Sequence, residues 1–560
     1  MLHFKTWCVV RFSYIVEQDE KTGFDFVSLL TKLGKRFSQI WQFHRAQTCL
    51  DQALAIMESK SKRIKGIDTI SGNIMAELHL AIANNFHQSR RYKAAEEHFL
   101  ESLKILGLLN KEHSRESAHL LKELAAHHLD RGNYHQASMN CERSLALFKD
   151  TFNVTGTQEG INDTLLMLGG IKVMQKEFVA ARQYFTELIR MHEDVSMIQA
   201  GSKCAELYHN IGKYYGKAGE YHEAQIWLTM ALDKFKQCAL SEDKIDQENV
   251  VSVLNNRGTY HLFQGDLVSC RSMCDEAFEM CSKIGEDNCL FSLQRIHGLY
   301  GKLYEAEGNY SLSLTHHMKS LQMIQDEHRP NENHFSIAQE LQAIARVYKS
   351  MGPVEKVEEY LMKALSIYET IYSSEGSHED IGDIMKSLGF HFQECCLHEK
   401  SLSYMAGALS VYKSVYAERY DFKVVDTIEM VALGCYQLER LHDAVDYFNE
   451  ARLILKQLPS NEKHHKALAK NLYWLGMMYN KLNQYEKADA YFTESYSLYC
   501  NLVDDNDIYE SDIADVLYMK SYNLLETPGG YHMAALQAAR SSIILYHRLA
   551  KKDSKKYINV

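Results

Sequence analysis

Proline occurs only 4 times in 560 residues, against about 5% in ordinary proteins. A ring that removes a backbone donor and clashes with the preceding helical turn is nearly absent, so the chain reads as helical almost throughout. Also absent is any apolar run near the roughly 18 residues that a membrane-spanning helix needs. The most apolar N-terminal stretch, Trp7 to Val16, is broken by Arg11, and it lacks the cleavage site and long apolar centre of a secretory signal. Neither the phosphate-cradling G-x-x-x-x-G-K-[ST] loop nor H-E-x-x-H occurs, so nucleotide hydrolysis and the zinc-protease arrangement have no support. The 13 cysteines are scattered without the dense spacing of a small secreted framework and are expected as free thiols of a cytoplasmic protein. An excess of basic residues is missing too. The 62 Lys+Arg against 73 Asp+Glu leave −11, which weighs against nucleic acid or an anionic membrane as the main partner.

What is present is a folded composition, 46% hydrophobic and 11% aromatic with 34 Tyr, and a repeat. A Gly or polar turn precedes an aromatic or Leu; a small residue follows three positions on, a bulky one four later and a small one three later. The segments GNYHQASMNCERSLALF, GEYHEAQIWLTMALDKF and NQYEKADAYFTESYSLY show it. About ten positions upstream lies an apolar–Gly pair, as in Leu168-Gly169, Ile211-Gly212 and Leu475-Gly476. Two amphipathic helices joined by a tight turn follow from this spacing.

Twelve units can be placed, with turn-aromatic positions Phe43, Tyr92, Tyr134, Phe178, Tyr221, Leu267, Tyr310, Val354, His398, Leu441, Tyr485 and Tyr531. The residue three later is small in all but one: Ala46, Ala95, Ala137, Ala181, Ala224, Cys270, Ser313, Val357, Ser401, Ala444, Ala488 and Ala534. This pattern resembles the tetratricopeptide repeat. The mean spacing of about 44 residues exceeds the usual 34 and is similar to the arrays of kinesin light chains, as is the phrase from Ala364 to Gly389. The resemblance covers residues 27 to about 548. It implies an all-α right-handed superhelix in one domain over 27–548, between an N-terminal segment 1–26, read as a cap or the remnant of a longer chain, and a basic tail 549–560. Pro330 and Pro459 fall between units and Pro353 and Pro528 at turns inside them, where helix breakers are tolerated.

In such arrays the first helix of each unit lines the concave side, where positions 2, 5, 9 and 12 share one face. The central five units present Lys213, Arg295, Lys302, Arg346, Lys349 and Lys386 there, against Glu206, Glu305 and Asp383. The first four units balance, Lys35 and Lys122 against Glu77 and Asp163. The last three are acidic and aromatic, through Asp426, Glu429, Tyr436, Lys470, Tyr473, Met477 and Glu526. A basic middle on an acidic chain points to capture of an extended acidic peptide by charge-assisted hydrogen bonds; ordinary solvated surface charge is the plain alternative. Asn84, Asn255 and Asn480 occupy the same positions and suit a peptide backbone, by resemblance to the light-chain groove.

Other candidates weigh less. Cys270, Cys274 and Cys281 lie on one helix, but the first two fill repeat positions reserved for buried residues, so packing is favoured over zinc. The pairs His127-His128, His316-His317 and His464-His465 diverge on their helices. The sequence therefore points to a non-catalytic scaffold or adaptor that binds other proteins through extended peptide segments, with no cofactor. The sensor array of a larger signalling protein is the alternative.

Overall fold

The computed structural model describes residues 20–552 apart from 40–42, 64–68, 156–159, 194–198, 239–243, 286–288, 328–333, 373–377, 417–420, 459–461, 503–508 and 530. Among the described residues there are 24 helices and no strand. They group into two compact bodies, Met1–Asn309 and Tyr310–Val560. The first holds α1 (Glu20–Gln39), α2 (Phe43–Arg63), α3 (Thr69–Gln88), α4 (Tyr92–Leu108), α5 (Arg115–Asp130), α6 (Tyr134–Thr155) and α7 (Ile161–Met174). It continues with α8 (Phe178–Glu193), α9 (Gln199–Lys217), α10 (Tyr221–Cys238), α11 (Lys244–Phe263), α12 (Leu267–Ile284) and α13 (Leu290–Ala306). The second holds α14 (Tyr310–Glu327), α15 (Phe335–Met351), α16 (Val354–Ile371), α17 (Glu379–Glu394), α18 (His398–Val415) and α19 (Phe422–Gln437). It ends with α20 (Leu441–Leu455), α21 (Glu462–Lys481), α22 (Tyr485–Leu502), α23 (Glu510–Glu526) and α24 (His532–Lys552). The expected N-terminal segment is thus described only from residue 20 and the tail only to 552; the strand-like WCVVRFSYIV lies outside the described residues.

Read in pairs, the helices make twelve helix-turn-helix units of an α–α superhelical class, each with a first helix A (odd numbers) and a second helix B (even numbers). Eleven B helices begin on the residue that the repeat marks as the turn-aromatic position, from Phe43 to Tyr485. The twelfth departs from expectation. Helix α24 starts at His532 instead of Tyr531, and the buried small residue is Ala535, while Ala534 is exposed. The turn before it carries Pro528 and Gly529, the latter at φ 103°, which displaces the register. The other small positions are buried, Val357 included. Pro353 sits at the N-cap of α16 and Pro528 in that last turn, whereas Pro330 and Pro459 lie outside the described residues.

The turn inside a unit has a fixed chemistry. Two residues before each of ten B helices the backbone is left-handed: Gly132, Gly219, Gly265, Gly308 and Gly352 in five units, Arg90, Lys176, Cys396, Glu439 and Asn483 in the other five. Nearly all are closed by the paired bonds of a Schellman cap, as where Arg91 N donates to Phe86 O at 2.8 Å and Arg90 N to His87 O at 2.9 Å. The apolar–Gly pair has an equally local cause. A Cβ on Gly34, Gly212, Gly389 or Gly476 would stand 2.7–2.8 Å from Leu50, Leu228, Met405 or Phe492 of the partner B helix, so only glycine lets the two helices close.

Each A helix packs on its own B helix within a body and on the B helix before it, and several also touch the next A helix. The apolar interior is accordingly a string of clusters along the chain. In the second body one runs from Leu321 to Phe392, the next from Met405 to Met478 and a third from Ala469 to Ala538. Stacked units bury faces that no unit can cover alone. Buried serines at one register of the B helix add a polar stitch: Ser102, Ser144, Ser495 and Ser542 donate to the carbonyls of Ala76, Ala118, Ala469 and Ala514 at 2.7–2.8 Å.

Candidate functional site

Because successive A helices lie side by side, residues some 40 apart in sequence meet on one face. Lys35 of α1 pairs with Glu77 of α3 at 2.7 Å, Lys122 of α5 with Asp163 of α7 at 3.1 Å, and Lys470 of α21 with Glu429 of α19 at 3.2 Å. The positions singled out by spacing therefore do share a wall within each body, and much of their charge is cancelled there. Lys349 of α15 pairs with Glu394 of α17 at 2.7 Å, and Lys386 of α17 with Asp426 of α19. Arg346 is exposed on α15 and Lys302 on α13. Lys302 makes no ion pair with a described residue.

Lys213 and Arg295 differ from the rest. Half-buried Arg295 on α13 donates from Nη2 to Asn256 Oδ1 of α11 at 3.0 Å. With the neighbouring Asn255 amide turned so that its oxygen faces the guanidinium, it accepts from Arg295 Nε at 3.3 Å and Nη2 at 3.1 Å. Lys213 on α9 reaches only Asn210 Oδ1, at 3.5 Å. Neither cation forms an ion pair with a described carboxylate. The Lys213 ammonium is pushed below its usual range by burial, then by Lys217 and Arg295, and the Arg295 guanidinium is pushed down by burial. Between them lies His209, one turn before Lys213. Its Nε2 faces Asn256 Nδ2 at 2.7 Å, and burial, Lys213 and Arg295 lower its pKa to about 4. The ring is neutral near pH 7, so Nε2 accepts and the Asn256 amide bridges ring and guanidinium.

The three helices come close because glycine clears their contact. The ring of Tyr260 on α11 lies against Gly216 on α9, where a Cβ would collide with it. The result is a cationic, amide-lined patch drawn from three consecutive units, with Lys213, Arg295 and Asn255 found from spacing alone. His209 occupies one of the four chosen helix positions, four residues before Lys213, but a count of charged residues passes over a neutral imidazole; Asn256 stands one residue off those positions. The signal available was the His209/Lys213 spacing of one turn and the adjacent Asn255-Asn256 pair.

The remaining expected residues take other places. Asn84 is half-buried on α3, while its neighbour Asn85 makes the contacts, accepting from Ser38 Oγ at 2.6 Å and donating to Gln47 Oε1 at 2.8 Å. Asn480 is buried and donates to Asn523 Oδ1 at 2.9 Å, tying α21 to α23. Tyr473 lies beside Trp474 and Phe492, and its phenol is raised to about 12 by burial, then by Asp515 and Tyr436. Cys270, Cys274 and Cys281 are buried, and among the described residues no group of three or more His, Cys, Asp or Glu is placed to hold a metal ion. His317 and His464, from the paired histidines, contact Glu340 Oε1 at 2.7 Å and Leu455 O at 2.9 Å. No described helix is long and apolar enough to cross a membrane.

A tetratricopeptide-repeat family model matches residues 205–233 and 469–499, the hairpins α9–α10 and α21–α22. No curated protein matches the chain significantly. Among solved structures, BtubC (BKLC) from P. vanneervenii is 16% identical, covering 42% of this chain and 91% of its own, with a TM-score of 0.37. The apo form of the quorum sensor NprR from B. thuringiensis is 11% identical over 65% of this chain and 99% of its own, at 0.37. The signal-transduction ATPase with a tetratricopeptide-repeat sensor from Pyrococcus horikoshii is 14% identical over 76% of this chain and 55% of its own, at 0.41.

Proposed function

Since the chain is a tetratricopeptide-repeat protein, we propose that it is a non-catalytic scaffold that holds extended segments of partner proteins against its A helices, with carboxylates of an acidic segment seated at Lys213 and Arg295. The observation that carries this reading is a half-buried guanidinium that has amide oxygens and the Phe291 ring beside it but no carboxylate partner among the described residues. Such a cation has lost water without gaining a counter-charge, and a ligand carboxylate supplies one by a charge-assisted bond stronger than the neutral bonds it replaces. Lys349 and Lys386 already hold carboxylates of the next unit, so they serve the ligand less. The eleven described cysteines are free thiols, which fits the reducing cytoplasm.

Binding of a fluorescent oligoglutamate peptide, read by anisotropy, tests the assignment. A folded Lys213→Glu/Arg295→Glu variant is expected to bind more than about tenfold more weakly, since each lost charged hydrogen bond is worth roughly 1.5–3 kcal/mol. Arg346→Glu/Lys349→Glu is expected to lose much less. Equal loss in both variants, or none in the first, removes the seat from α9–α13.

A further inference from the structure

We propose that the seat of Lys213 and Arg295 is proton-gated: protonation of His209 turns the Asn256 amide over, takes from Arg295 one of its two neutral acceptors and strengthens the grip on an oxyanion. This deepens the reading above and rests on it.

With His209 neutral, its Nε2 has a lone pair, and the 2.7 Å approach of Asn256 Nδ2 is a sound bond. That bond fixes the amide, so Oδ1 must face Arg295 Nη2 at 3.0 Å. A proton taken from water onto Nε2 sets two donors face to face. The amide relieves this by rotating half a turn, presenting Oδ1 to His209 and Nδ2 to the guanidinium. Arg295 then loses an acceptor and faces a donor, while the patch gains one positive charge. Both changes favour an anion between Lys213 and Arg295.

The coupling runs equally in the other direction. The groups that oppose the proton are burial and two charges, Lys213 on α9 and Arg295 on α13; among the described residues no charge on the flanking α7, α8, α10 or α11 shifts the ring. Those two cations are the ones an oxyanion would neutralise. A bound anion therefore raises the affinity of His209 for a proton, and linkage requires the anion to bind more tightly as pH falls. Where the bound-state pKa returns to the ordinary histidine value of about 6.5, affinity rises about tenfold between about pH 7.5 and about pH 5.5.

Sulfate is the probe, because its charge does not change over that range, and calorimetry on the full chain reads its affinity. An oligoglutamate peptide, with and without sulfate as competitor, shows whether peptide carboxylates use the same seat. Expected are sulfate binding that tightens about tenfold on acidification, its abolition in Arg295→Gln, and a pH-independent affinity in His209→Gln, whose amide can still accept from Asn256 but cannot titrate. Circular dichroism confirms that both variants are folded. Sulfate binding that needs Arg295 but has the same affinity at both pH values overturns the gate and leaves the seat standing. If neither sulfate nor peptide binds at either pH, or Arg295→Gln binds like the wild type, the seat falls together with the gate. Peptide that sulfate cannot displace removes the shared seat and with it the gate's bearing on peptide capture.

Discussion

Glycine does two different jobs in this chain, and single substitutions separate them. At Gly476 the constraint is steric: a methyl group would stand 2.7 Å from the Phe492 ring, within a packed core that cannot yield without moving a helix. Gly476→Ala is expected to cost about 1–3 kcal/mol in urea unfolding. At Gly219 nothing lies within 4 Å, but φ is +83°, so Gly219→Ala costs about 1–2 kcal/mol through backbone strain alone. The converse change tests the same idea. Glu439 holds φ 58° at the equivalent turn, and Glu439→Gly is expected to stabilise the second body by up to about 1 kcal/mol, the left-handed penalty less the greater entropy of an unfolded glycine.

At the scale of helices, the register of the B helices was legible because each start is marked twice: by a residue that accepts left-handed backbone and by a small residue one turn later. The last unit broke the pattern because Pro528 and Gly529 lengthen a turn, and spacing counts residues without knowing which of them bend. The side-by-side row of A-helix positions was legible for the same periodic reason, and Lys213 and Arg295 both lie on that row in the first body. What spacing could not show is how the charges pair across units, since that depends on loop lengths and on how far each A helix slides past the next. Glu394, which holds Lys349, and Asn256, which bridges to His209, are cases of this kind. The cross-unit pairs differ in exposure: Glu429 is buried beneath Lys470, whereas Lys349 and Glu394 each keep about half of the side chain accessible. Lys349→Ala is therefore expected to change stability by less than about 1 kcal/mol, measured by denaturant titration.

At the scale of the whole molecule, buried histidines of the first body are expected to lead the response to mild acid. In the first body His79, His98, His127, His128, His209 and His261 all have lowered pKa values, with burial the leading cause in each and about 4 reached at His79 and His209. In the second body the His391 pKa is lowered too, again chiefly by burial. A group whose folded pKa lies below its unfolded value stabilises fully above the latter, and that stability drains away as pH falls through the window between them, here from about 6.5 toward about 4. Hydrogen exchange at about pH 7.5 and about pH 5 is expected to show protection falling in the first body, foremost in α3 to α5, which carry His79, His98, His127 and His128. Protection lost no more in α3 to α5 than in the rest of the first body would refute histidine as the cause.

One arrangement decides what a truncated form of this protein can do. Arg295, Lys213 and the amides between them are supplied by α9, α11 and α13, one helix from each of three neighbouring repeats. A protease cut or splice junction between residues 209 and 295 separates the contributors, whereas trimming whole repeats outside these three leaves them together. If that seat is where anions bind, capture by shortened forms is expected to be all or nothing, switching at a boundary inside the first body instead of declining with the number of repeats lost.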